Sequence, residues 1–267
     1  MGWNNFGLFI TGSLLSWLIG VTMPLFSEKL KQKDTKIILF TALGIIVLLV
    51  FIIQLWINLD RPPLRTLGET RLWYSFFLPL IGLVIFIRWR LHWLLTYSLA
   101  MSLLFLLINL LKPETHDQTL MPALQSFWFI PHVLVYIFAY AILAASALVA
   151  THSLFVHKFQ KQSIKNLDKA DQLVYLGFAF LSLGLIFGAL WAKEAWGHYW
   201  TWDPKETWAL LTWLFYLLYI HLRYHRPQKL KLHSWVLGLS FVVLLICWFG
   251  VNYLATGANS VHTYGAN

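Results

Sequence analysis

Three histidines are the strongest chemical candidates in this sequence, because each lies in or beside an apolar stretch. His132 follows Pro131 near one end of an apolar span, and His221 lies well inside another. His262 lies in the C-terminal tail TGANSVHTYGAN, a few residues past the last span. An ionisable group within a membrane span is costly and by default indicates a functional site. The other seven histidines lie in loops or at span ends, where a loop or interfacial role is the simpler interpretation.

A tryptophan-rich segment over residues 191–208 lies between two apolar spans. Tryptophan gathers at membrane interfaces because its ring is amphipathic, and this explanation is sufficient for any single one. Several of them around one Trp-Asp-Pro sequence indicate instead a surface that accepts a flat apolar ligand. Two imidazoles, from His132 and His262, over such a surface are what an iron porphyrin requires, whereas a zinc site would need four ligands or three and water. The tryptophans of the segment and of the helix after it are Trp191, Trp196, Trp200, Trp202, Trp208 and Trp213.

Asp203, Pro204 and Glu206 predict the start of a helix. Glu three residues after Asp forms a capping box, and Pro is favoured at the first helical position. The helix is predicted to continue to His221, which at about 1.5 Å per residue lies about 25 Å from the tryptophan-rich segment. Asp203 therefore has two interpretations: a helix cap only, or a carboxylate that also serves the ligand.

The composition predicts a polytopic membrane protein. Hydrophobic residues make up 59% of the 267, charged residues make up 12%, and the mean hydropathy is +0.65. Soluble domains carry roughly 25% charged residues. The formal charge of +9 could indicate nucleic acid, but the basic residues lie in short loops beside apolar spans, so membrane topology explains them and no nucleic-acid partner is expected. The single cysteine, Cys247, excludes a disulfide or a cysteine-based metal site within this chain. No cleavable signal peptide is expected, since the first apolar run has no basic region before it.

The predicted fold is an all-α polytopic helical bundle that forms one membrane domain over residues 1–267. A bilayer core of about 30 Å requires about 20 apolar residues per helix. The tight turn at residues 88–90 predicts a helical hairpin over 72–111. Gly184 and Gly188 form a GxxxG pattern, which predicts close packing against a neighbouring helix. The eight predicted spans are 6–26, 36–57, 72–88, 91–111, 128–156, 172–192, 205–222 and 235–254.

The basic residues orient the predicted spans. Alternate loops carry fourteen Lys and Arg on one side and six on the other. The first side is cytoplasmic by the positive-inside rule. Both termini and the tryptophan-rich segment are then predicted to face outward, on the periplasmic side of a bacterial cytoplasmic membrane; a plastid thylakoid membrane is the less favoured alternative.

The segment WGHYWTWDPKETW over residues 196–208 resembles the WWD signature of haem-handling proteins in cytochrome c assembly. The similarity is to the CcsA/ResC type of the two-component System II pathway, and it continues through Leu211 to Arg223. It covers the chain from about residue 60 to the end. The first two spans are similar in hydropathy only.

The resemblance implies a function and a set of residues. Such proteins, with a CcsB/ResB partner, move haem b across the membrane and attach it to the two thiols of a Cys-x-x-Cys-His motif in apocytochrome c, so this chain would be the haem-presenting subunit of a haem lyase. The resemblance makes His132 and His262 the outer axial ligands of the haem iron. It makes His221 the ligand of an inner site, whose second ligand comes from the partner. The residues implied to form the haem platform are Trp196, Trp200, Trp202, Asp203 and Trp208.

Three alternatives remain open at the level of sequence. A CcmC/CcmF-type protein shares the WWD signature but passes haem to a chaperone; the unbroken sequence from Asp203 to Trp208 favours the CcsA type. A quinone-linked redox subunit would predict two pairs of transmembrane histidines on neighbouring helices. A membrane scaffold with interfacial tryptophans would bind no haem, and a visible absorption spectrum would identify it.

Overall fold

The described residues of the protein fold mainly into α-helices. The computed structural model describes residues 3–22, 30–116, 122–156 and 160–250, and these contain no strand. The π-helical turn Ile246–Gly250 continues the last helix, and short 3-10 helices lie at Trp3–Asn5, Pro113–Thr115 and Pro122–Gln125. The α-helices are α1 (Phe6–Thr22), α2 (Leu30–Leu59), α3 (Leu67–Trp89), α4 (His92–Leu111), α5 (Phe129–Val156), α6 (Gln160–Trp196), α7 (Pro204–His225) and α8 (Leu230–Leu245).

Seven of these helices are long and apolar enough to cross a membrane, which confirms an all-α polytopic bundle. The sequence predicted an eighth span at 205–222. The structure has a helix there, α7, but α7 is not among the seven. At about 1.5 Å per residue its 22 residues reach about 33 Å, so length is sufficient. Its tryptophans, tyrosines and terminal charges lower its hydropathy. Because the number of crossings decides whether the termini share a side, the orientation of the termini stays a prediction.

Two helices begin at capping boxes. Asp203 caps α7, with Pro204 in the first turn and Glu206 closing the box, as the sequence predicted. Thr66 caps α3 in the same way with Glu69, so α3 begins at Leu67, five residues before the predicted span. The hairpin of α3 and α4 is confirmed, and it turns at Arg90, which adopts a left-handed conformation with φ 56°.

The chain divides into two compact units, Met1–Thr119 and Leu120–Asn267. In the first unit, α1 packs on α2 and α3 packs on α4. Ser13 and Ser16 of α1 donate hydrogen bonds to the backbone carbonyls of Gly44 (3.1 Å) and Phe40 (2.7 Å) of α2. Such interhelical hydrogen bonds, together with small residues at the contact, hold helices together where no water is present.

Buried polar groups fix the loop before α3 in the first unit. Glu69 is fully buried and forms a two-pronged ion pair with Arg61, with N–O distances of 2.9 and 2.8 Å. The same carboxylate accepts the backbone N–H groups of Arg65 and Thr66. The bidentate geometry and the extra donors compensate the buried charge, which would otherwise be strongly destabilising.

The second unit contains α5 to α8 and holds the described candidate residues. Helix α5 packs along α6 and α8, and α7 packs along α8 and α6. Helix α6 begins at Gln160, well before the predicted start at 172, because helical structure continues through a charged segment that hydropathy alone does not count as a span.

Candidate functional site

His132 is held in one tautomer by a neighbouring helix. Its Nδ1 lies 2.9 Å from the backbone carbonyl oxygen of Gly184. A carbonyl oxygen only accepts, so Nδ1 must carry the proton and donate. In the neutral imidazole the other nitrogen, Nε2, is then unprotonated. An imidazole oriented by an Nδ1–H donor to a backbone carbonyl, with Nε2 as the Lewis base, is the usual arrangement of a histidine metal ligand.

The GxxxG pattern of α6 makes room for His132 and its neighbour. A Cβ atom on Gly188 would lie 2.7 Å from Cε1 and 2.8 Å from Nδ1 of His132. A Cβ atom on Gly184 would lie 3.0 Å from the ring of Tyr136, one turn further along α5. The predicted close packing of this pattern is thus confirmed, and its partner is the His132 face of α5.

Trp191 connects His132 to the tryptophan-rich segment. Its ring centre lies 5.3 Å from that of His132 and 4.9 Å from that of Trp196. Its Nε1–H donates to the carbonyl of Ala123 at 2.8 Å, which satisfies the one polar atom of a buried ring. Trp191 belonged to the predicted segment but not to the predicted binding residues, because its contact with His132 depends on the register between α5 and α6.

The loop between α6 and α7, residues 197–203, is called the tryptophan-rich loop. It holds Trp202 in an unusual backbone conformation. Gly197 begins the loop with φ 83°, and Trp202 near its end has φ 61°. A bulky residue in the left-handed region is strained, and such strain clusters at functional sites. Trp202 is 67% exposed, and its ring makes an edge contact with that of Trp200, with ring centres 5.8 Å apart. The protein therefore keeps a large apolar ring exposed, and the strained backbone at Trp202 costs free energy.

Glu206 fixes the backbone on both sides of Trp202. Its Oε2 accepts the N–H of Thr201 at 2.8 Å and the N–H of Asp203 at 3.2 Å. The hydroxyl of Thr207 donates to the carbonyl of Trp202 itself at 3.2 Å. The first turn of α7 thus compensates the strain at Trp202 by satisfying its flanking peptide groups.

Asp203 is buried and acts as the helix cap. Its Oδ1 accepts the backbone N–H of Lys205 at 2.8 Å, and its side chain completes the capping box with Glu206. Lys193, near the end of α6, donates to the carbonyl of Gly197 at 2.8 Å and lies over the ring of Tyr199 at 5.4 Å. Both ends of the tryptophan-rich loop are therefore tied to the helices that flank it.

His221 lies on an exposed face of α7, in ring contact with His225. The two ring centres are 4.3 Å apart with 51° between the planes. The opposite face of α7 is anchored to α6: Tyr219 donates to Asp171 at 2.6 Å, and Arg223 bonds the same carboxylate at 2.8 Å. This pair of histidines lies within one helix, unlike the pairs on neighbouring helices that a quinone-linked redox subunit would predict.

The remaining predicted residues have different outcomes. Trp208 is half-buried in α7, and its carbonyl accepts the Thr212 hydroxyl at 2.8 Å. His262 lies outside the described residues, so its predicted pairing with His132 stays a prediction. Among the described residues no group of three or more His, Cys, Asp or Glu could hold a metal ion.

His116 lies in a loop, as the sequence predicted, directly after the 3-10 helix Pro113–Thr115. It is buried in the first unit and stacks on Trp3, with ring centres 3.7 Å apart and planes 8° from parallel. No local pattern around His116 signals this contact, because its partner lies at the opposite end of that unit's sequence.

The fold and these features define a polytopic helical membrane protein with an exposed tryptophan loop beside an oriented histidine. The family model of the cytochrome C assembly protein matches residues 67–259. A cytochrome c biogenesis protein CcsA of Cuscuta reflexa is 32% identical over 296 residues, covering 96% of this chain and 94% of the relative. The CcsA of Helianthus annuus is 33% identical over 79% of this chain and 80% of its own length. That of Chlamydomonas reinhardtii is 40% identical over 60% of this chain and 47% of its own length.

The chain belongs to the cytochrome c assembly protein family, with relatives of the CcsA type. Its role is in cytochrome c biogenesis, which involves haem and apocytochrome c.

Proposed function

We propose that this protein delivers haem b across the membrane and presents it for covalent attachment to apocytochrome c, together with a CcsB/ResB-type partner. The outer haem lies over the tryptophan-rich loop, with its iron bound by His132 and His262. The orientation of His132 carries the proposal: its Nδ1–H donates to the Gly184 carbonyl, and this leaves Nε2 as the iron ligand.

The exposed ring of Trp202 supports the platform role of the loop. A porphyrin is a flat apolar ring that needs an apolar surface as well as axial ligands. Trp202 is held outward by the Glu206 and Thr207 hydrogen bonds, so its position is fixed before the ligand arrives. A surface ordered in advance loses less conformational entropy on binding.

The attachment step requires positioning rather than a protein nucleophile. Each thioether forms when a thiol of the apocytochrome adds across a haem vinyl group: sulfur bonds to one vinyl carbon and the thiol hydrogen goes to the other. No electron is gained or lost overall, and both reactants are substrates. Holding two reactants in the right geometry can supply about 7–11 kcal/mol of a reaction barrier. The single buried cysteine, Cys247, is consistent with thiols supplied by the substrate.

His221 supports a second, inner haem site. It lies on an exposed face of α7 and, among the described residues, is in ring contact with His225. A site on this face is open to a further axial ligand from another protein. Under the proposed function the partner supplies it. A CcmC/CcmF-type handover to a chaperone is the alternative, and it would use the same outer site without thioether formation.

The cell membrane in which this occurs also belongs to the proposal. We place the protein in a bacterial cytoplasmic membrane, where the positive-inside pattern orients the tryptophan-rich loop outward. The relatives named above come from plants and an alga, so the thylakoid membrane of a plastid is the alternative location.

The proposal is tested by replacing each outer ligand. His132→Ala and His262→Ala should each retain less haem and abolish formation of holocytochrome c, because each removes one axial bond. The measurements are the absorption spectrum of the purified protein and a haem stain of the cytochromes made in the same cells. If both single variants matured cytochrome c at the wild-type level, the outer-site assignment would fail.

A further inference from the structure

We propose that His225 is a second ligand for haem iron, one helical turn beyond His221, which binds incoming haem first and then transfers it to His221. This inference rests on the proposed inner site at His221. It concerns a residue that neither the signature resemblance nor the family match singles out.

The two imidazoles form a continuous pair on one face of α7. Residues four apart on a helix lie one above the other, and here the ring centres are 4.3 Å apart. Both side chains are exposed. Among the residues that the structure describes, neither ring has a hydrogen-bond partner, so a nitrogen of each is available as a ligand.

The pair cannot bind one iron at the same time in this arrangement. A metal–imidazole bond is about 2 Å long, so two axial nitrogens on opposite sides of one iron lie about 4 Å apart, with the ring centres further apart still. The porphyrin plane would also have to lie between the two imidazoles. Rings in direct contact at 4.3 Å leave no room for that plane. The two histidines are therefore successive ligands on the same face of a porphyrin.

The transfer is a simple ligand exchange. The bond from iron to the His225 nitrogen breaks as the bond from iron to the His221 nitrogen forms, with no change in oxidation state and no proton gained or lost. The iron moves about one helical turn, or about 5.4 Å, towards the tryptophan-rich loop.

The rest of α7 supports this role. Arg223 and Tyr219 anchor the opposite face through Asp171, so the backbone that carries both histidines is fixed while the rings remain accessible. Beyond His225, Arg226 and Lys229 are exposed at the same end of the helix. Cationic side chains bind carboxylates through charge-assisted hydrogen bonds, and the two haem propionates are carboxylates. The end of α7 thus offers an iron ligand and propionate partners together.

The test is the rate at which the protein takes up haem. The purified chain, in lipid nanodiscs with its co-purified partner, is stripped of haem and mixed with haem b in a stopped-flow spectrometer that follows the Soret band. His225→Leu should slow uptake about ten-fold, because pre-bound haem is held near His221 at an effective concentration in the millimolar range. Its final spectrum should equal that of the wild type.

A matched variant separates ligation from structure. His225→Met should restore much of the rate, because methionine sulfur binds haem iron and leucine does not, although the two side chains are similar in size. Gln228→Ala, in the exposed turn after α7, serves as the control, and its rate of haem uptake should equal that of the wild type. In His221→Ala haem should still bind rapidly, through His225, but the final spectrum should differ from that of the wild type. The double variant with His221→Ala and His225→Leu should change that spectrum again.

Each result decides the question. Wild-type uptake in His225→Leu, or equal rates for the Leu and Met variants, would overturn the role of His225 while leaving the inner site at His221 intact. If His221→Ala itself kept wild-type uptake and the wild-type spectrum, the inner site of the proposed function would fail, and the transfer proposal with it.

Discussion

His132 and His221 lie in the same unit of the protein, but they differ in burial, in hydrogen bonding and in the side chains that pack against them. His132 is half-buried, hydrogen-bonded through Nδ1 and packed against Trp191 and the glycines of α6. His221 is exposed and contacts only the ring of His225 among described aromatic residues. A histidine fixed in one tautomer is suited to hold a cofactor during a reaction. An exposed histidine is suited to receive a cofactor and release it.

The same contrast applies to the backbones near these residues. The loop before α7 is strained at Trp202 and held by the hydrogen bonds of Glu206. The far end of α7 is regular helix anchored by Arg223 and Tyr219. Substitutions near His132 should therefore reduce function by displacing its ring. Those near His221 should act through the loss of a ligand.

The largest expected effect of a geometric change is at Gly188. Gly188→Ala places a methyl group 2.7–2.8 Å from the His132 ring, so either the ring or α6 must shift. A displacement of about 1 Å can reduce catalysis about 100-fold, and we expect holocytochrome formation to fall by about ten-fold or more while the protein accumulates normally.

Two further alanine variants control this result. Gly184→Ala meets Tyr136 at 3.0 Å and should have a smaller effect, whereas Gly7→Ala meets nothing within 4 Å and should have none. Equal maturation in Gly188→Ala and Gly7→Ala would contradict the claim that α6 positions His132.

An intermediate effect is expected at Glu206. Glu206→Ala removes the acceptor for two peptide groups beside Trp202 and a capping-box partner, and loss of a cap costs about 1 kcal/mol. Trp202 should then leave its left-handed conformation, and haem retention in the purified protein should fall about five-fold.

Glu206→Gln keeps one carbonyl oxygen as an acceptor, so its haem retention should lie between that of the wild type and that of Glu206→Ala. Glu114→Ala, at an exposed glutamate of the first unit, is the control. Full haem retention in Glu206→Ala would show that the order of this loop does not matter for binding.

The smallest effect is expected at Asp203. Its Oδ1 accepts the Lys205 N–H, and Asn and Ser both offer an oxygen for the same bond. If Asp203 is only a cap, Asp203→Asn and Asp203→Ser should mature cytochrome c at nearly the wild-type level. A loss of maturation in both variants at normal protein abundance would assign the charge of Asp203 to the haem or apocytochrome.

The helices were largely predictable, and their ends less so. Apolar length located the spans, and the Asp203–Glu206 capping box correctly started α7. The equivalent box of Thr66 and Glu69 has the same spacing, but hydropathy alone set the predicted start of α3 and placed it five residues too late. Helix α6 was predicted too short for the same reason: its first turns are charged but helical.

The site was predictable as a set of residues but not as an arrangement. Histidine and tryptophan in unusual places identify candidates, and GxxxG predicts a contact. The identity of the contact, His132 with Gly188, depends on the register of α5 against α6, which no local pattern encodes. The strained backbone of Trp202 likewise results from hydrogen bonds to Glu206 and Thr207, whose side chains had other possible roles.

The most direct test of the central claim is the amount of haem bound by each variant purified with its partner. If His221 receives haem and His132 holds it for attachment, His221→Ala should lack haem at both sites, because the outer site is filled through the inner one. His132→Ala should keep the inner haem, with its His221-ligated spectrum, and form no holocytochrome c. A His221→Ala complex that carries a full outer haem would contradict the relay.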